Sequence, residues 1–439
     1  MKAAESLLAS SPYTGYSYGY PHKTAYRPLD RPVPLREAWA AEKDGALFLY
    51  IHIPFCEMRC GFCNLFTQAR PKEDLANGYM ATLRRQARRV REALGEARFA
   101  RFAVGGGTPT DLSMENLEAV FDIAEGIMGA SPRDIPVSVE TSPETAETQK
   151  LALLRERGVD RISIGVQSFL EAETRAIARP QERAVVEAAL KRIRAAGFPT
   201  LNIDLMYGLP GQTAETLIAS VREAIAWGAE EVYLYPLYVR PLTRMGRSDK
   251  TWDDERLTLY REARARLLSE GYSQVSMRMF RSARAPQKDG PVYCCQEDGM
   301  VGLGCGARSY TRALHYSSEY AVGARGVREI LEAYVRRPDE AFDAADYGIE
   351  LDSSERRRRY FILSILSDEG LDFDAYRRSF GSDAASDFEE FGVLIDLGFA
   401  RAEGGVVRLT EQGMERSDAI GPWLYSQPVR SRMERFELR

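Results

Sequence analysis

Residues 47–66 read LFLYIHIPFCEMRCGFCNLF, and the fold follows from this stretch. The run 47–53 is apolar, dense in aromatic and β-branched side chains, and too short for a helix that buries itself, so it reads as a buried strand. Pro54 ends it, and Cys56, Cys60 and Cys63 follow. Three thiolates are one fewer than a closed zinc site or a fully cysteine-ligated cluster uses. The spacing therefore points to a [4Fe–4S] cluster held on three irons, with the fourth open to a ligand. Two blander readings stay beside it: a partial zinc site with a remote fourth ligand, and buried thiols acting as small hydrophobes.

The surroundings narrow the chemistry. The chain has 439 residues, 44% of them hydrophobic, enough for one large core with appendages. A formal net charge of −5 argues against a nucleic-acid partner. No stretch reaches the length of a membrane-spanning helix, and the first twenty residues lack the apolar centre of a signal peptide. These features predict a cytoplasmic chain with reduced thiols. His22, His52 and His315 are the only histidines, too few for a histidine-rich metal site, so the chemistry must come from a cofactor.

Outward from 47–66, strands and helices alternate. Strands are predicted over 99–104, 135–140, 161–166, 200–207 and 231–239, with helices over 72–94, 114–128, 144–157, 182–196, 213–227 and 253–270. Six strands in such a series form right-handed βαβ units on a parallel sheet. The first loop carries cysteines rather than GxGxxG, so a partial (β/α)6 barrel is preferred to a Rossmann sheet. Reactive residues should then sit at the strand C-termini. There stand the cysteines, the glycines 105–107, Glu140, Gln167 and Asp204. Each alone could be a turn or a solvated strand end; five at equivalent positions of one series point to a shared rim.

Residues 1–45 form an N-terminal arm rich in proline and tyrosine; Tyr13, Tyr16, Tyr18, Tyr20 and Tyr26 are too many rings for a solvated leader. The barrel is assigned to 46–275, with a seventh strand over 274–280 that runs past its end. An extension follows over 276–349 and a C-terminal module over 350–439. The module reads as helices over 355–366, 374–380 and 384–397, then a hairpin turning on Gly404 and Gly405, a winged-helix-like order. Its ERRRRY run (355–360) lies among acidic residues, so it reads as a wall over the barrel rather than a DNA reader.

The motifs YIHIPFC (50–56), GGGTPT (105–110), ETSP (140–143), RISIGVQSF (161–169) and NIDLMYGLPGQT (202–213) together resemble the oxygen-independent coproporphyrinogen III oxidase family of radical S-adenosylmethionine (SAM) enzymes. That family also includes haem chaperones and class C methyltransferases and cyclopropanases. The resemblance runs over roughly residues 12 to 420. It implies that Cys56, Cys60 and Cys63 ligate the cluster and that the open iron binds SAM, whose reductive cleavage yields a 5′-deoxyadenosyl radical. It places Tyr50 beside SAM and Phe62 against the adenine. Gly106, Gly107 and Thr108 would meet the methionine part through exposed backbone amides, and Glu140, Gln167, Arg179 and Asp204 would contact one or two SAM molecules. It also implies a small-molecule substrate, porphyrin-like or other, and a low-potential electron donor such as flavodoxin or ferredoxin.

Departures from the pattern bear on the reaction. The oxidases carry a fourth cysteine where this chain has Leu65, a lack shared with the chaperones, whereas the tyrosine-rich arm is oxidase-like. The stretch PHKTAYR (21–27) has no derivable role. Cys294 and Cys295 would point apart on an extended chain, which disfavours a second cluster. VGLGCGARSY (301–310) resembles a family loop bordering the substrate, making Cys305 a candidate catalytic thiol and Arg308 a candidate carboxylate partner.

Overall fold

The computed structural model describes residues 7, 11–17, 19–42, 45–247, 255–286 and 291–437. Tyr18 and the first residues of the helix expected from 253 lie outside them.

Six parallel strands stand side by side in chain order: Ala46–Ile53, Arg98–Gly106, Val137–Thr141, Arg161–Gln167, Thr200–Tyr207 and Glu231–Pro236. They are the six strands of a partial (β/α) barrel. Helices Glu73–Leu94, Met114–Asp122, Thr148–Glu156, Arg183–Ala196 and Ala214–Ala226 connect them, and Arg256–Ser269 follows the sixth. The barrel stays open. Beyond its sixth strand, Met279–Ser282 and Tyr272–Gln274 add antiparallel; beyond its first, Met300–Leu303 adds parallel. Three further antiparallel strands follow, Arg308–Tyr310, Leu314–Ser317 and Ala344–Glu350, and the arm's Arg27–Pro34 forms the last edge.

The two faces of these strands differ. Leu49, Ile51, Phe102, Val104, Ile162 and Ile164 are buried against the helices. The alternate positions turn inward: Tyr50 and His52, Ser138 and Glu140, Ser163 and Asn202, Asp204, Tyr233 and Tyr235. A closed barrel of this class fills its centre with branched apolar side chains. This one lines a lumen with hydroxyls, amides and carboxylates, which suits a site for a polar ligand rather than a core.

Three expected elements differ. The single strand over 274–280 is a tight turn between two short strands, because Ser276 Oγ accepts from the N–H groups of Arg278 and Met279 at 3.4 and 3.2 Å. The helix over 114–128 is α-helical to Asp122, then widens into a π turn, Ile123–Ile127. That over 384–397 breaks at Phe388, whose backbone is extended (φ −136°, ψ 101°).

The arm lies across the barrel mouth. Tyr13, Tyr20 and Tyr26 are buried, while Tyr16 keeps 37% of its surface exposed. Ser17 Oγ meets Tyr425 OH at 2.7 Å, and Tyr20 OH donates to Glu355. At the other end of the chain, Ser353–Ile365, Phe373–Phe380 and Glu390–Asp396 pack around Phe361, Phe388 and Phe391. A three-stranded sheet of Leu371–Asp372, Val406–Leu409 and Ala400–Glu403 completes this part.

Candidate active site at the cysteine loop

Pro54 ends the first barrel strand, and the loop it starts is pinned at both ends. Phe55–Cys56 pairs with Gln68–Ala69; Gln68 N–H donates to Pro54 O at 2.6 Å and Arg70 N–H to Cys56 O at 2.8 Å. Gly61 holds the middle, donating to Ile177 O and accepting from Met245 N–H, both at 3.0 Å. A Cβ there would stand 2.7 Å from Ile177 O, so glycine is required. The three thiols are half-buried, and burial, with the neighbouring cysteines adding to it, pushes those of Cys56 and Cys63 up. Arg179 Nη1 donates to Cys60 Sγ at 3.0 Å and its Nη2 to Gly165 O at 2.9 Å. Among the described residues no three His, Cys, Asp or Glu side chains close around one point as a single ion needs.

Glycines bring the second strand against this loop. Gly107 N–H donates to Ile53 O and Thr108 N–H to Phe55 O, both at 2.7 Å, and Gly106 N–H donates to Glu140 Oε2 at 3.0 Å. Gly106 has φ +110°, and a Cβ on it would stand 2.3 Å from the His52 ring; one on Gly107 would be 2.3 Å from Phe55 O. The ledge therefore has to be bare. Its amides, however, are engaged within the protein, so the expectation that they face the ligand is corrected: what the glycines supply is room.

Across the lumen stand two carboxylates. Glu140 is exposed to the lumen but walled by protein, and this burial pushes its pKa up to about 7; Gly106 N–H opposes the shift and Asp204 adds to it. Burial likewise pushes Asp204 up to about 6, against the pull of Asn202, whose Nδ2 donates to Oδ1 at 2.7 Å, and of Arg161. Gln167 ends the fourth strand at φ +67°, and its amide lies over Gly165, where a Cβ would be 2.8 Å from Nε2. Tyr50 OH lies 3.2 Å from His52 Nδ1 and His52 Nε2 3.1 Å from Phe66 O. A carbonyl can only accept, so Nε2 carries the proton and Tyr50 donates to Nδ1. Burial holds His52 down at about 4, hence neutral. Phe62 packs on the apolar group of Ile177, Met206 and Leu209.

The Radical SAM superfamily pattern matches residues 50–224. The heme chaperone HemW of Bacillus subtilis is 31% identical over 270 residues, 60% of this chain and 70% of that protein. The oxygen-independent coproporphyrinogen III oxidase of Salmonella typhimurium is 25% identical over 428 residues, 93% and 91% of the two chains. This chain belongs to the radical SAM proteins of that family. Coproporphyrinogen III oxidase (HemN) from Escherichia coli shares the fold, with a TM-score of 0.77 at 23% identity over 93% of this chain and 96% of that one. Radical SAM membership implies a [4Fe–4S] cluster and SAM, and the residues present fit both. Three half-buried thiols on one loop, glycines at positions no Cβ could occupy, and a buried Arg179 Nε with no hydrogen-bond partner among the described residues supply the sulfur ligands and the room these groups need.

The fold thus brings Cys56, Cys60, Cys63, Tyr50, Gly106, Glu140, Gln167, Arg179 and Asp204 to one end of the lumen. Arg179 gives its two terminal nitrogens to Cys60 Sγ and Gly165 O, and its Nε has no hydrogen-bond partner among the described residues. Cys305 is not brought there. Its thiol is 1% exposed and turns under the helix Ala324–Val335, 3.7 Å from Ser318 Oγ and 4.0 Å from Ile330 O, so a catalytic role does not fit its place. The thiols of Cys294 and Cys295 do not point apart, since both donate to Gln296 Oε1, at 3.1 and 3.3 Å. Sequence reasoning missed Tyr233 and Tyr235, stacked with ring centres 5.7 Å apart, and Arg161 below them, which donates to Glu231 at 2.7 Å. The alternation within EVYLYP was the signal that could have found the tyrosines.

Proposed function

We propose that the protein is a radical SAM enzyme whose substrate is held in the lumen between the cysteine loop and the arm. When bound, the cluster and SAM supply reductive cleavage to a 5′-deoxyadenosyl radical, the agent of hydrogen abstraction. Cys56, Cys60 and Cys63 hold the cluster, and Arg179 offsets charge on Cys60. Tyr50, the bare ledge at Gly106, Gly107 and Thr108, Glu140, Gln167 and Asp204 position SAM, with Phe62 on its adenine side. Glu140 and Asp204 accept hydrogen bonds from ribose hydroxyls or face the sulfonium. The observation that carries this reading is the polar lumen itself, since a scaffold-only barrel would gain more from an apolar filling. Relatives named coproporphyrinogen III oxidases suggest decarboxylation of a porphyrinogen; Leu65 at the place of their fourth cysteine favours another substrate.

A second reading, heme handling, is favoured by Leu65 and by the resemblance to HemW. Class C chemistry with two SAM molecules is the third. One anaerobic reconstitution with reductant separates them. The first reading expects 5′-deoxyadenosine by mass spectrometry, the second a heme-binding spectrum with little SAM turnover, and the third S-adenosylhomocysteine beside 5′-deoxyadenosine. The electron would come from flavodoxin or ferredoxin, in the cytoplasm. No helix among the described residues is long and apolar enough to cross a membrane.

A further inference from the structure

Cys294 and Cys295 are adjacent in the chain, and the function above does not use them. On an extended chain neighbouring side chains point to opposite sides. Here the backbone turns instead: Glu297 N–H and Asp298 N–H both donate to Cys294 O, at 3.1 and 2.7 Å, and Cys294 N–H donates to Asp298 Oδ2 at 2.6 Å. The turn brings both thiols to one acceptor, Gln296 Oε1, which Cys294 Sγ reaches at 3.1 Å and Cys295 Sγ at 3.3 Å. Cys295 is exposed and Cys294 half-buried. The same turn joins two parts of the molecule. Tyr293 lies edge-on to Phe48 of the first barrel strand, ring centres 5.6 Å apart. From the helix Ser353–Ile365, the buried Arg359 donates through Nη2 to Cys295 O at 2.7 Å and through Nη1 to Gln296 O at 2.9 Å.

We propose that Cys294 and Cys295 form a vicinal dithiol that low-molecular-weight disulfides oxidise reversibly to a disulfide, and that closing this ring loosens the grip of Arg359 on the loop. The exposed thiol attacks first. Cys295 gives its proton to solvent, its thiolate forms an S–S bond to one sulfur of the oxidant, and the other sulfur leaves as a thiolate. Cys294 then loses its proton, attacks Cys295 Sγ and displaces the second oxidant sulfur, also as a thiolate. Two protein thiols are oxidised, one small disulfide is reduced, and the leaving thiolates take up the two protons released. Burial pushes both thiols up, but at Cys295 the Arg359 and Arg101 guanidiniums oppose it, in keeping with first attack there. The closed ring contains the Cys294–Cys295 peptide. Its Cα atoms, about 3.8 Å apart across a trans peptide, are nearer than the ~4.4 Å at which ordinary disulfides begin. Such a bond is strained, thiols readily reverse it, and the peptide has to twist. Its carbonyl, Cys294 O, anchors the turn, and Cys295 O beside it is the one Arg359 holds.

The test treats the reconstituted full-length holoenzyme with excess oxidised glutathione without air, then alkylates it and digests it with trypsin and Glu-C. Cleavage after Lys288 and Glu297 separates the pair from Cys305. By mass spectrometry, peptide 289–297 should have lost both thiol hydrogens and carry no alkyl group, and dithiothreitol should restore both thiols. A glutathione adduct left on Cys295, or two alkylated thiols, overturns the proposal. Phenylarsine oxide, which releases one water as its arsenic bridges two thiols, should bind the reduced holoenzyme. Cys294→Ser and Cys295→Ser should each weaken that binding by about a hundredfold, the loss of chelation; equal binding by a variant overturns the pairing. Iron content reports folding, and should one variant lose its iron the other is read alone. Limited proteolysis should cut the oxidised form faster at the helix Ser353–Ile365 than the reduced form, and Cys295→Ser should abolish the difference. Equal cutting of the two wild-type forms refutes the link to Arg359. Formation of 5′-deoxyadenosine judges the enzyme reading separately, since the dithiol does not rest on it.

Discussion

The two walls of the lumen are built by different means. On the cysteine side, the candidate residues lie on strands of one βα series or in the loops that follow them, and their partners come from a neighbouring strand: Gly106 with Glu140, Ser163 with Asn202, Arg179 with Gly165. On the arm side, the wall depends on contacts between residues far apart in the chain. Tyr20 meets Glu355, Ser17 meets Tyr425, and Arg278 pairs with Asp418 while the Tyr16 ring lies 3.7 Å from its guanidinium. The first wall is repetitive and holds the residues proposed to serve the radical chemistry. The second is assembled once, from both ends of the chain.

That contrast can be broken in order of effect. Cys60→Ala should abolish iron binding and 5′-deoxyadenosine formation together, as read by iron analysis and mass spectrometry; retention of both would refute the cluster assignment. Asp418→Ala should act on the other wall only. Its carboxylate and Arg278 are almost wholly buried, and removing one partner of such a pair costs about 3–5 kcal/mol. The melting temperature should fall and limited proteolysis should cut the arm faster. Gly106→Ala should be nearly as damaging, on the order of 2–3 kcal/mol, because the new Cβ meets His52 at a φ that side chains avoid; calorimetry should also show SAM binding lost.

The fourth effect is a pH dependence. Glu140 is raised from its ordinary 4.5 to about 7, and Asp204 from 3.8 to about 6. The folded protein therefore holds these protons more tightly than the unfolded chain. Stability without SAM should fall as pH rises through that window, and Glu140→Gln should flatten the curve of melting temperature against pH. An unchanged curve in the variant would remove Glu140 as the source. The smallest effect is expected from Cys305→Ser. SAM cleavage should stay as it is, with a stability loss of about 1 kcal/mol from the hydroxyl in an apolar place.

Legibility in the sequence follows the same divide. The strand series and the rim could be read because a buried parallel strand and its loop are written within about thirty residues. The cysteine spacing could be read because the three thiols fall within one short stretch, Cys56 to Cys63. What could not be read was decided by tertiary contacts. Ser276 turns a would-be strand into a hairpin, Arg179 finds a thiol, and Cys305 swings beneath a helix that begins nineteen residues later. The glycines at the strand end are plain in the sequence, but their amides have partners that only the folded loop supplies. The place of Lys23 was not readable because the ring its ammonium sits over, Tyr320, comes from a distant segment.

Gln167 is held in place against the preference of its own backbone. Its backbone sits at φ +67°, where any side chain is unfavourable by about 1 kcal/mol relative to glycine. A chance mutation to glycine would relax the chain there, and no loss of solubility or heat resistance would announce it. Natural selection for a sound fold is therefore blind, even mildly hostile, to this glutamine. Its persistence in descendants of this chain would report directly on turnover.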